Sequence, residues 1–434
     1  MEDNFDAMLR TVLTDAEAVP VPKPTRRDVS LPELAGKVDA VIGMRRVGKS
    51  WLLASRMRQL LDAGIPRSRM LHVEFEDDRL AELRTENLHR IEEAFYALHP
   101  DSHGKECWYF FDEIQNAPGW ERFVRRLLGN RSLHLAITGS SAKLLSTEIA
   151  TSLRGRALTT EVLPFSFREA LRHRGIEAPT RWPVPQGTRA KLRHEFDRYL
   201  TVGGFPEVQD DDEHRQRILQ GYLDATILRD IVERHALTNA PLLRAIVRRL
   251  LRSAGSKTSV NALAQDLKSL GMVFGRASVY ELLEHVQDAY LVFLLPIHTQ
   301  SERRRQVNPR KVYAIDHGLV RACVGRRSED FGHHLENLVY LELRRRGEVA
   351  GYHLTASGRE VDFVTGPLGE PHLIQACANL GDPGTREREL GALAEAMDEI
   401  DCDRGTVVTL DEKATVRHGG REIEVVPAWQ WLLA

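Results

Sequence analysis

Gly43-Met44-Arg45-Arg46-Val47-Gly48-Lys49-Ser50 is the stretch of this 434-residue chain whose residue types and spacing most clearly suit chemistry. Glycines at 43 and 48 let a short loop turn its backbone N–H groups inward, where they can ring an anion. Lys49 supplies a point charge that reaches the outer phosphates of a triphosphate, and the Ser50 hydroxyl is a ligand for the accompanying Mg²⁺. Arg45, Arg46, Val47 and Trp51 complete the cradle through their backbone. The two arginine side chains are expected to face a neighbouring domain or a second copy of the chain. Such a loop needs a strand before it and a helix after it, so that the helix N-terminus adds its positive end to the same anion. The apolar run Val38–Ile42 and the helix-compatible residues 51–61 meet that demand. Together these features predict a nucleoside triphosphate site for ATP or ADP with Mg²⁺.

A second constellation is Trp108-Tyr109-Phe110-Phe111-Asp112-Glu113. An apolar run ending in two acids fits a buried parallel strand whose carboxyl end opens onto a site. Asp112 suits the metal shell, and Glu113 is placed to orient or deprotonate a water. A third apolar run, 133–137, ends in Thr138-Gly139-Ser140-Ser141. Ser140 or Ser141 is expected to touch the γ-phosphate or the water, with Thr138 the weaker candidate. The alternative is a plain turn in which Gly139 supplies a positive φ.

Six stretches taken in order resemble a family. They are residues 43–50, Phe111-Asp112-Glu113-Ile114-Gln115, Thr138-Gly139-Ser140-Ser141, Leu153-Arg154-Gly155-Arg156, Leu163-Pro164-Phe165-Ser166-Phe167-Arg168-Glu169 and Gly203-Gly204-Phe205-Pro206-Glu207. The series is similar to the AAA-type ATPases of bacteria and archaea that carry a C-terminal domain of unknown function. The resemblance implies an ATP-hydrolysing motor followed by a winged helix and a remnant restriction-endonuclease-like domain. It places Arg154 and Arg156 where such ATPases present a positive side chain toward a γ-phosphate, in their own subunit or a neighbour. A salt bridge at a domain edge is the alternative for both. For the nuclease-like part, Glu336 and Asp362 match the first two acids of the pattern. Gln375-Ala376-Cys377 stands where Glu-x-Lys is required, so no nuclease activity is expected.

The elements that must position these residues follow from the patterning. Strand candidates at 38–42, 70–75, 107–111, 133–137 and 158–163 alternate with helical stretches, which predicts an α/β parallel sheet. Residues 1–37 form a short helix and a lead-in containing Pro20, Pro22 and Pro24. The ATPase core spans 38–172, and Ser166 with Glu169 has the spacing of a capping box. Helical segments near 189–200 and 216–234 make a lid within 173–239. Over 240–325, Ser259 caps one helix, Gly271 turns, Ser278 with Glu281 opens a second, and apolar runs 290–295 and 311–315 flank Arg303, Arg304 and Arg305. Helix, turn, helix and hairpin is the plan of a winged helix. The remaining 326–434 reads as a smaller α/β domain, with a helix at 331–346 and strands near 351–354, 360–364 and 373–378.

Composition sets bounds on partners. Lys plus Arg total 60 against 62 Asp plus Glu, so any contact with nucleic acid must come from a local patch. The arginine groups 248–252, 303–305 and 344–346 are the candidates. Glu281 and Glu284 on the helix that would enter a groove oppose that role and leave protein docking as the alternative. Cys107, Cys323, Cys377 and Cys402 show neither zinc spacing nor a disulfide framework, which points to the cytoplasm. The acidic start does not read as a secretory leader, and the run 289–297 is too short to span a bilayer. The expected protein is an ATPase that drives or gates its C-terminal domains, acting alone or as a homo-oligomer. The alternative is a slow nucleotide-dependent switch that binds a protein partner.

Overall fold

The computed structural model describes residues 2–140, 153, 155–325, 331–366 and 370–434, so Ser141 and Arg154 lie outside the described residues. The chain forms two compact units, Met1–Val162 and Leu163–Ala434.

The first unit opens with helix α1 (Glu2–Ala18), longer than the short helix expected, whose Phe5, Leu9, Val12 and Leu13 are buried. Strands β1 (Val38–Ile42), β2 (Met70–Glu74), β3 (Cys107–Asp112), β4 (Leu133–Gly139) and β5 (Ala157–Glu161) form one sheet in the order β2-β3-β4-β1-β5. Every pairing is parallel. All residues of β1 and β3 are buried, as continuous apolar runs in a two-sided parallel sheet require. Helices α2 (Lys49–Asp62), α3 (His89–Leu98) and α4 (Trp120–Leu127) provide the crossovers. Gly139 is the last residue of β4 and does not adopt positive φ, so it does not supply the turn residue of the alternative.

The second unit begins with helix α5 (Phe167–His173), capped by the expected box of Ser166 and Glu169. Helices α6 (Gln186–Val202) and α7 (Arg215–Ala225) follow, and the latter continues as a π-helix over Thr226–Glu233. Next come α8 (Ala240–Arg252), β6 (Ser256–Thr258), α9 (Val260–Ser269), α10 (Arg276–Asp288), β7 (Val292–Leu295), α11 (Glu302–Val307) and β8 (Arg310–Ala314). The three strands make an antiparallel sheet in the order β6-β8-β7. Ser259 caps α9 as expected, whereas α10 starts earlier than its proposed box, with Gly275 at the cap. The arginine-rich connection from β7 to β8 is partly helical, because Ser301 caps α11 through the Arg304 N–H.

Helix α12 (His317–Val324) leads to α13 (Phe331–Arg346) and a six-stranded mixed sheet. Its strands are β9 (Val349–Leu354), β10 (Glu360–Thr365), β11 (His372–Ala376), β12 (Gly405–Thr409), β13 (Ala414–His418) and β14 (Arg421–Pro427), in the order β13-β14-β12-β11-β10-β9. Helix α14 (Pro383–Ile400) covers it through Leu390, Leu393, Ala396 and Met397. Among the described residues no helix is long and apolar enough to cross a membrane.

Gly43 shows why the loop sequence is constrained before any ligand is considered. Its φ is +152°, and a Cβ there would lie 2.3 Å from the Val162 carbonyl oxygen at the end of β5. Backbone cannot yield as a flexible side chain would, so Gly43→Ala should lower unfolding free energy by about 2 kcal/mol or more. A thermal melt matching wild type would show that the loop tolerates the Cβ.

Candidate functional site

In the described first unit the phosphate loop leaves the carboxyl end of β1 and enters α2 at Lys49. Gly48 is left-handed, with φ 101° and ψ 31°, and this turns the chain into the helix. Met44 and Val47 are fully buried and hold the loop down, while the Arg27 guanidinium donates to the Val47 carbonyl at 2.8 Å. The Arg45 side chain pairs with Glu76 at 2.9 Å. Arg46 takes a left-handed φ of 67°, unusual for a residue with a side chain. Trp51 is 53% exposed on the first turn of α2.

The acids meet this loop because β4 lies between β1 and β3. Lys49 Nζ sits 3.2 Å from Glu113 Oε1 and donates to the Met44 carbonyl at 3.3 Å. Burial alone would raise Glu113. The charge of Lys49, the Gln115 amide donating at 2.5 Å, and Arg45 outweigh it and hold the carboxyl below its ordinary range. Glu113 itself is left-handed, with φ 49°, at the turn that ends β3. Thr138 ties the pair together: its hydroxyl donates to Asp112 and accepts the Glu113 N–H at 2.9 Å. The weaker of the three polar candidates on β4 therefore makes the contacts to both acids. Ser140 is buried just beyond it.

Ser50 and Asp112 line one cavity of about 380 Å³, which Trp51, His72 and Glu74 also wall. A hydroxyl and a carboxylate are hard oxygen donors and fit Mg²⁺, which takes one or two protein oxygens and fills its shell with water and phosphate. Among the described residues no three His, Cys, Asp or Glu side chains are grouped to hold a metal by themselves. Glu74 pairs with Asp112 across the β2–β3 ladder. Burial and the surrounding acids, Asp112 foremost, raise its carboxyl.

Arg156 is not part of this cluster. Its carbonyl accepts the Val38 N–H, and β5 runs parallel to β1 with Ala157 opposite Val38. Arg156 therefore stands at the amino end of the sheet, roughly 16 Å from the phosphate loop at the five-residue length of β1. Its backbone is thus at the opposite end of β1 from the loop.

The second unit brings together a further cluster. Glu336 and Asp362 meet, as the pattern of acids implied, but a lysine stands between them. It is Lys311 of β8, bonded to Glu336 at 2.8 Å and to Asp362 at 2.6 Å. The only sequence signal for this lysine was its place at the opening of an otherwise apolar run. Gln375 accepts the Asp362 N–H at 3.1 Å and donates to Glu389 of α14 at 2.6 Å, so an acid lies one side chain beyond the amide. Burial and the negative Asp362 push Glu336 up to about 8, against the pull of Lys311. Arginines 345 and 346 are spent on Glu342 and on backbone carbonyls of Pro164 and Trp431, and Arg344 lies over the Phe293 ring at 4.2 Å.

A family model described as an AAA domain matches residues 35–171, and one described as a domain of unknown function matches 193–330. An uncharacterized protein of Methanocaldococcus jannaschii (MJ1544) is 33% identical, over 97% of this chain and 94% of its own. An uncharacterized protein of Haemophilus influenzae is 27% identical over 78% of this chain and 82% of its own. A Walker-type ATPase of Pyrococcus abyssi aligns over 74% of this chain and 95% of its own at 14% identity, with a TM-score of 0.42.

Thr138→Val keeps the shape of the side chain but leaves Asp112 and the Glu113 N–H without their shared partner. Each unpaired buried group costs about 1–3 kcal/mol. The variant should fold, yet lose most of the Mg²⁺-dependent gain in nucleotide affinity, and Thr138→Ser should restore it. Titrations with and without Mg²⁺ read this directly. Equal Mg²⁺ dependence in Thr138→Val would remove Thr138 as a positioning residue.

Proposed function

The chain belongs to the family of the M. jannaschii protein, with an AAA domain at residues 35–171, and we propose that it binds and hydrolyses ATP with Mg²⁺. The observation that carries this reading is the 3.2 Å approach of Lys49 to Glu113, which puts the loop and the acid pair at one point. The backbone of residues 43–51 takes the phosphates, and Lys49 moves its charge from Glu113 toward the outer phosphate. Ser50 and Asp112 would hold Mg²⁺, which when bound offsets the charge of the phosphate chain. Glu113 is then released to orient a water and accept its proton, and Thr138 keeps its backbone aligned. Ser140, buried just after β4, would contact the γ-phosphate or that water.

In this reading the nucleotide state is transmitted to the second unit, where α8, β6, α9, α10 and the β7–β8 hairpin form a winged helix. The domains beyond the core are a helical lid at 173–239, the winged helix at 240–325 and a nuclease-like domain at 326–434. That last domain is expected to be inert. All three protons of the Lys311 ammonium go to carboxylates, at 2.6–2.8 Å, which leaves none for a scissile phosphate. A second reading, a slow switch that binds a protein, is favoured by the α9–α10 surface. Leu270 is 71% exposed, Val273 91% and Tyr280 52%, beside Glu281 and Glu284. An apolar, acidic face suits a protein better than a phosphate backbone, although Arg303, Arg304 and Arg305 are all exposed on α11.

Lys49→Ala should abolish measurable ATP binding. Glu113→Gln should retain it and slow hydrolysis by about 100-fold or more, the usual scale for a general base. Unchanged affinity in the first variant removes the loop as the site. Collapse of affinity in the second, with the rate per bound nucleotide preserved, makes Glu113 a metal ligand instead.

The placement of Arg156 at the opposite end of β1 from its own loop makes action on a second copy its proposed catalytic role. Mixing Lys49→Ala with Arg156→Ala should then restore turnover above that of either variant alone, because one supplies the arginine and the other the loop. Additive, unrestored rates would confine Arg156 to a structural task.

A further inference from the structure

The second unit holds a small cavity of about 60 Å³ where α8, α12 and α13 meet. One water needs about 10–15 Å³ of such space, so the cavity has room for a small tetrahedral oxyanion and none for a nucleoside. Among the described residues its polar walls are Arg252, His317, Arg321, His333, His334 and Asn337, with no acid beside them. Asn337 has its amide bonded to the Ala314 N–H and carbonyl, at 2.7 and 3.0 Å. His317 is different. It is 1% exposed, and its Nε2 lies 2.6 Å from the Tyr199 carbonyl oxygen. A carbonyl only accepts, so Nε2 carries the proton and Nδ1 is left with a lone pair. Burial pushes the ring down to about 4, which keeps it neutral at about pH 7. Nδ1 is buried and has no hydrogen-bond partner among the described residues.

The arginines have an ordinary task as well. Arg252 and Arg321 stand in the last turns of α8 and α12, where a positive side chain offsets the negative helix end. That task accounts for two cations but not for a buried acceptor beside them, which is costly unless a donor meets it. Arg321 follows His317 by four residues, one helical turn on, and its charge acts on the same ring. The first turn of α13 brings His333 and His334 together with the positive end of that helix. Arg252 and Gly325 are exposed and mark where the cavity meets solvent. Positive walls call for an anion, and the lone pair calls for a hydrogen on that anion. We propose that the cavity binds a phosphoryl group bearing one proton, with its P–OH donated to His317 Nδ1 and its charged oxygens held by Arg252 and Arg321. A phosphodiester has no such proton, so the backbone of a nucleic acid is not the occupant. Inorganic phosphate and a phosphate monoester can both carry one.

The inference concerns the second unit alone and does not rest on the ATPase reading. Its test is titration with inorganic phosphate and with sulfate at about pH 6, where a phosphoryl group keeps a proton and sulfate has none. Every protein in the series carries Lys49→Ala, so that the phosphate loop does not dominate the binding of either anion. We expect one equivalent of phosphate bound about 100-fold more tightly than sulfate, although charge alone favours sulfate. Arg321→Gln should weaken both anions about 10-fold or more and keep their ratio. His317→Phe should bring that ratio close to one, because nothing then accepts the proton. Ethyl phosphate separates the two sources of the group. Tighter binding than inorganic phosphate makes the occupant a monoester, weaker binding makes it free phosphate, and either result supports the proposal. Absence of phosphate binding, sulfate bound as tightly, or a ratio unmoved in His317→Phe would overturn it. If His317→Phe does not fold without its bond to Tyr199, Arg321→Gln still decides, since unchanged phosphate affinity there overturns the proposal too.

Discussion

The hydrogen-bonded ladder that sets β4 between β1 and β3 governs the first unit, because it fixes how far the phosphate loop stands from the acids. With neighbouring strands about 4.8 Å apart, one intervening strand separates the ends of β1 and β3 by roughly 10 Å. A lysine side chain just beyond β1 can bridge that gap to Glu113, whereas a shorter residue cannot. The same spacing gives β4 its task. Its last polar side chain, Thr138, falls midway and bonds to both acids. Loop, acids and threonine come from strands far apart in sequence, and only this strand order makes them neighbours.

The second unit solves an electrostatic problem of the opposite kind. In the first, a buried lysine has one carboxylate partner and a backbone carbonyl, so part of its charge remains directed at the loop. In the second, a lysine of similar burial is saturated by three carboxylates. An ammonium with protons to spare can bind an anion; one without them can only hold its partners together. The number of acids around each lysine therefore separates a binding role from a structural one, even though both side chains are almost wholly buried.

Much of the first unit was legible because its determinants are local. Apolar runs bounded by glycine or by acids marked all five strands to within a residue or two, and the glycines at 43 and 48 announced the loop. What escaped notice depended on packing across the chain. Thr138 ranked below Ser140 because sequence does not say which strand residue faces Asp112. Arg156 was singled out by the family resemblance, and sequence held no hint that β5 begins at the opposite end of the sheet from the loop. In the second unit Glu336 and Asp362 were visible as a pattern, but Lys311 lies 51 positions before Asp362 and on another sheet, so no spacing rule could join them. Strands β12, β13 and β14 also escaped: β13 is a short, polar edge strand, and β12 and β14 carry threonines and glutamates among their apolar residues.

The two lysines also differ in what would free them. Lys49 is paired to a residue on the turn after β3, so a phosphate arriving at the loop competes with one carboxylate and needs no backbone movement. Lys311 is held inside a strand, its backbone fixed by antiparallel pairing with β6 and β7, so its ammonium leaves only if that sheet moves. A ligand's differential affinity must supply the work of such a motion, and three desolvated ion contacts make that work large. The phosphate loop is thus built to exchange partners at each binding event, and the carboxylate cluster to keep its own.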